Sequence, residues 1–87
     1  MKPANEIKFP CRWEFRLMAF TGTLEKTKAS VAEIGKAENA AFEISTGESS
    51  ATGKYTAVRV ACEVADIDRA RSLAALLAKA EGVRFLL

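Results

Sequence analysis

From Cys11 to Phe20 the chain changes character at every residue. Trp13, Phe15, Leu17 and Ala19 point one way, while Arg12, Glu14 and Arg16 point the other. Alternation of period two with aromatic enrichment marks a half-buried strand. Met18 and Phe20 interrupt the polar face near its end. The pattern returns between Lys54 and Val64, with Thr56, Val58, Val60, Cys62 and Val64 apolar on one side. Tyr55, Ala57, Arg59, Ala61 and Glu63 lie on the other. A strand with one apolar face must be covered on that face alone. These two segments therefore demand a sheet with a layer packed on one side.

The intervening segments supply that layer. Thr21-Gly22-Thr23 reads as a turn with Thr23 as N-cap, followed by a helix carrying Leu24, Val31 and Ile34 on one face. Thr27, Ser30 and Gly35 weaken its helical propensity. Ala41 to Thr46 reads as a short strand, and Gly47 to Gly53 as a hairpin loop. Asp66 is a suitable N-cap for an Ala-rich helix with Ile67, Ala70, Leu73, Ala74 and Leu77 at helical spacing, stopped by Gly82. Val83 to Leu87 reads as a final strand. Right-handed crossovers place both helices on one face of one sheet. The fold expected is α+β: a ferredoxin-like βαββαβ sandwich whose four-stranded antiparallel sheet has the order 4-1-3-2. Residues 1–8 are expected to be a flexible arm, and residues 9–87 one domain. The first and third strands are expected at the centre as parallel neighbours. That orientation puts Cys11 and Cys62 on the order of 20 Å apart, beyond disulfide reach.

Composition narrows the chemistry. Histidine is absent from the 87 residues, so no imidazole base, ligand or triad member exists. Cys11 and Cys62 lack the spacing of a zinc or redox pair and read as reduced thiols packed as small apolar groups. Asp66 and Asp68 read as helix-start residues. No enzyme, cofactor or metal is expected. The net charge of +2 comes from interleaved acids and bases, which gives nucleic acid no basic stripe to follow. Gly47 to Lys54 imitates a phosphate loop, but its spacing is one residue too long and it leads into a strand. A phosphate loop needs a helix N-terminus behind it. The absence of a long apolar run excludes a spanning helix, and the expected compartment is the cytoplasm.

The face that the helices leave open is where function is expected. Arg12, Arg16, Met18, Tyr55 and Arg59 lie on it, with Ala57, Ala61, Glu14 and Glu63 between them. Such a surface is either a protein-binding platform or simply a solvated antiparallel face. RNA is the alternative occupant, because this scaffold is also that of modules that stack bases on sheet aromatics. Tyr55 is the one aromatic expected on that side of its strand. The apolar final strand offers an unguarded edge, on which pairing into a homodimer is expected.

Phe9-Pro10-Cys11-Arg12-Trp13-Glu14-Phe15-Arg16, Gly53-Lys54-Tyr55-Thr56-Ala57-Val58 and Gly82-Val83-Arg84-Phe85-Leu86-Leu87 together resemble the YbeD-like family. These are small bacterial proteins of unknown function, similar to the regulatory ACT domains of amino-acid metabolism and described as possible lipoate regulators. The resemblance runs from about Ile7 to Leu87. It implies the βαββαβ fold and a regulatory role through a protein partner or a small metabolite, and it brings no catalytic residues. ACT domains bind effectors near the loop after the first strand, often at a glycine, and Gly22 occupies the matching loop. An ACT domain is usually joined to the enzyme it controls; with no enzyme attached here, this module is expected to act in trans.

Overall fold

A computed structural model describes residues 8–86, so the expected arm, apart from Lys8, lies outside the described residues. The chain runs β1 (Cys11–Phe20), a single 3₁₀ turn (Thr21–Thr23), α1 (Leu24–Ala37), β2 (Glu43–Ser49), β3 (Tyr55–Val64), α2 (Ile67–Ala78) and β4 (Val83–Leu86). The sheet order is β2-β3-β1-β4, with every neighbouring pair antiparallel. This is the expected ferredoxin-like sandwich.

One expectation inside that fold is corrected. The central pair, β1 and β3, is antiparallel, with Cys11 opposite Val64 and Phe20 opposite Tyr55. Helix crossover makes β1 and β2 run the same way, and the hairpin then reverses β3 against both. The cysteines are consequently near each other. Cys62 faces Trp13, two residues from Cys11, so the two are diagonal neighbours, a relation that spans roughly 7–8 Å between backbones. Both are free thiols. Burial pushes the Cys62 thiol above its ordinary pKa.

The core lies between the sheet and the helices. Phe15, Leu17 and Ala19 of β1 meet Val58, Val60, Cys62 and Val64 of β3 and, from the helices, Val31, Ala70, Leu73 and Leu77. All five apolar-face residues of β3 are buried, as their alternation requires. Asp66 caps α2, its carboxylate accepting from the Arg69 backbone N–H at 2.8 Å. Thr23 does not cap α1; its hydroxyl turns back to the Phe20 carbonyl instead.

The residues that weaken α1 as an isolated helix are its contacts to the rest of the domain. Thr27 is fully buried and donates to the Glu81 carbonyl at 2.6 Å, while Ser30 accepts from the Glu81 N–H at 3.1 Å. Gly35 lies so close to Phe42 that a β-carbon there would come within 2.7 Å of its ring. Helix α1 ends on Asn39 in the left-handed region (φ 55°). Ala40 N–H bonds to the Gly35 carbonyl and Asn39 N–H to that of Lys36. This is a Schellman stop. Arg69 completes it from α2, donating to the Glu38 carbonyl at 2.6 Å and to its carboxylate at 2.9 Å.

Candidate functional site

The alternation that buries one side of β1 and β3 exposes the other. Register places Arg16 directly opposite Arg59, Met18 opposite Ala57 and Phe20 opposite Tyr55. The outer strands extend these rows: Ser45 of β2 lies beside Arg59, and Phe85 of β4 beside Met18. Four of the six expected surface residues thus stand on adjacent rows of one face. They divide into an aromatic end and a charged depression.

At the aromatic end, the Tyr55 ring lies 5.2 Å from Phe20 and 6.2 Å from Phe85, centroid to centroid, tilted by 42° and 56°. Lys54 sits over Tyr55 at 5.6 Å, within cation–π range. Phe85 is 45% exposed. The sequence reading placed Tyr55 here and missed Phe85. Its strand has four described residues, and Arg84 forms a bulge between the Met18–Phe85 and Ala19–Val83 pairs. Four residues with a register shift carry too little alternation to assign a face.

The depression encloses about 340 Å³ and is lined by Arg16, Met18, Ala57 and Arg59 from the central strands and by Glu48, Ser49 and Ser50. Its wall is made by β2, which passes one extra residue between the Thr46–Val58 and Ser49–Thr56 pairs. The segment expected as loop from Gly47 is therefore still strand as far as Ser49. Gly47 keeps the wall close: a β-carbon there would come within a tight 3.1 Å of the Ala57 β-carbon and reach ordinary contact, 3.6 Å, with Arg59 Nε. Below the wall, Thr56 Oγ1 lies 3.2 Å from Ser49 Oγ and 2.8 Å from Thr21 Oγ1. These hydroxyls satisfy one another where β3 enters the sheet.

Arg12 and Gly22 stand apart from this site. Arg12 forms an ion pair across the sheet with Glu43. The hydrogen bond and charge of Arg12 hold the Glu43 carboxyl below its usual range, and Glu43 raises Arg12 in return. Gly22 is exposed in the 3₁₀ turn, and apart from its own chain neighbours no heavy atom lies within 4 Å of where its β-carbon would be. Nothing in the packing requires a glycine at that position. Trp13 stacks on Phe9 at 6.1 Å and packs against the core with Phe15, as a structural aromatic would. Among the described residues, no three His, Cys, Asp or Glu side chains gather into a metal site, and no helix is long and apolar enough to cross a membrane.

A ferredoxin-like sandwich with one helix-covered and one open sheet face is the class that these features define. The chain belongs to the family described as "Protein of unknown function (DUF493)", whose model matches residues 4–87 and which is the YbeD-like family of the sequence resemblance. Two solution structures of protein HP0495 from Helicobacter pylori share the fold. One superposes with a TM-score of 0.80 at 19% identity, covering 100% of this chain and 96% of that one. The other gives 0.61 at 19% identity, covering 99% and 100%. No curated protein matches the chain.

Proposed function

We propose that this protein is a small regulatory or interaction module of the bacterial cytoplasm, without chemistry of its own, that docks a protein partner in trans on its open sheet face. The observation that carries this reading is the aromatic cluster of half-buried Phe20 and Tyr55 with exposed Phe85, beside Met18. Aromatic residues, Met and Arg are the residues enriched at protein interfaces, and a few of them supply most of the binding energy. The resemblance to ACT domains supports a regulatory role.

RNA is the second reading, because the same three rings could stack bases. The acids elsewhere on the same face argue against a nucleic-acid track across it: Glu14 and Glu63 alternate with Arg12, Arg16 and Arg59, and Glu48 lines the depression. The deciding experiment is a pull-down from the native cytoplasm with the wild type and with Phe85→Ala and Tyr55→Ala. A protein recovered by the wild type, and lost by variants that melt within a few degrees of it, supports the docking reading. Retention by both variants overturns it. Saturable binding of single-stranded RNA that falls steeply with salt transfers the face to nucleic acid.

A further inference from the structure

Arg16 and Arg59 are directly opposed in the central ladder, an arrangement in which β-carbons stand roughly 4.5–5.5 Å apart and like charges destabilise the sheet. Three other cations of the domain are matched, Arg12 by Glu43, Lys28 by Glu25 and Arg69 by Glu38, but the unmatched Lys and Arg elsewhere in the described residues do not face another cation across a ladder as these two do. Among the described residues, no carboxylate lies within ion-pair distance of either Arg16 or Arg59. Glu48 borders the same depression without reaching them.

The surroundings of the pair are shaped as well as charged. Gly47 leaves room at the β2 wall where a side chain would press on Ala57 and approach Arg59 Nε. The floor between the arginines and the aromatic end is apolar, made by Met18 and Ala57. A volume of about 340 Å³ falls at the lower end of small-molecule pockets, roughly 300–1,000 Å³. Two guanidinium forks over an apolar floor fit a planar or tetrahedral oxyanion attached to a short carbon body. Binding one would also remove the repulsion between the two cations.

We propose that the Arg16–Arg59 pair and its depression bind a small organic oxyanion, a carboxylate or a phosphate ester with a short apolar body. This rests on the open face being a binding surface, but it uses the arginine pair and not the aromatic row. The test is an NMR titration of the full chain with butyrate and with glycerol phosphate, against sodium chloride at matched ionic strength. The expected result is saturable shifts of the Arg16 and Arg59 Nε–Hε signals and of the Glu48–Ser50 amides, with the two probes separating carboxylate from phosphate ester. Arg16→Gln and Arg59→Gln should each weaken binding by about tenfold or more, the loss of one charge-assisted hydrogen bond. Without anion, both variants should melt above the wild type, because the repulsion is gone. Phe85→Ala should leave the titration unchanged, so a failure of protein docking would not be mistaken for a failure of this site. Linear shifts that chloride reproduces, or Gln variants that bind as tightly as the wild type, would overturn the proposal.

Discussion

Leu17 and Met18 are adjacent on β1, yet they belong to opposite sides of the molecule. Leu17 is fully buried beneath the helices, whereas Met18 borders a depression on the open face. On the covered side, apolar side chains fill the layer between sheet and helices, and the polar groups entering it are bonded, as Thr27 is to the Glu81 carbonyl. On the open side, side chains are arranged in rows whose members do not all satisfy one another, including two opposed arginines and an exposed phenylalanine. Packing determines the first face. The second carries chemical groups that folding does not require, and it is on these that the docking proposal rests.

The sharpest way to break this contrast is to truncate both neighbours. Leu17→Ala removes a side chain at the centre of the core and should cost about 2–5 kcal/mol. Met18→Ala should cost under about 1 kcal/mol, since the side chain is not enclosed. Chemical denaturation of both variants measures the difference, and equal losses would mean that the open face is part of the core. A smaller contrast concerns two glycines with positive φ. Gly82 (φ 79°) sits against the hydroxyls of Thr27 and Thr23, whereas Gly53 (φ 74°) has open space around it. Gly53→Ala should show backbone strain alone, about 1 kcal/mol, and Gly82→Ala about 2 kcal/mol or more, because the Thr27 contact to the α2–β4 turn is also displaced.

The smallest effect is electrostatic. Arg12 depresses the folded-state pKa of Glu43. A carboxyl with a depressed folded pKa contributes stability above its unfolded pKa and loses it as pH falls through the folded value. The pair is exposed, so the contribution is small and screened by salt. Following the Glu43 side-chain carbon by NMR should give a midpoint below that of an ordinary glutamate, and Arg12→Gln should move it upward. An unchanged midpoint would remove the ion pair from the description of the open face.

The elements were legible because their signals are local. Alternation assigned β1 and β3 to faces, and Asp66 followed by an Ala-rich helical period announced α2. Helix α1 was legible as a helix but not as a partner. Thr27, Ser30 and Gly35 look like defects until Glu81 and Phe42 are brought against them. The site was half legible. Arg16, Met18, Tyr55 and Arg59 follow from strand alternation. Phe85 does not, because β4 is short and bulged, and neither does the β2 wall at Glu48–Ser50, because its Gly- and Ser-rich sequence reads as loop.

By itself, the sequence determined which side of each central strand is buried, because water sorts alternating side chains regardless of what lies across the sheet. It also determined the absence of imidazole chemistry, which needs only a count. Strand partners and register were decided by the tertiary structure. The hairpin had to reverse β3 against β1, which brought Cys62 near Cys11 and set Arg59 against Arg16. Period two assigns a face to each residue but cannot say which residue of another strand stands opposite. That choice belongs to the joint packing of both helices against the whole sheet.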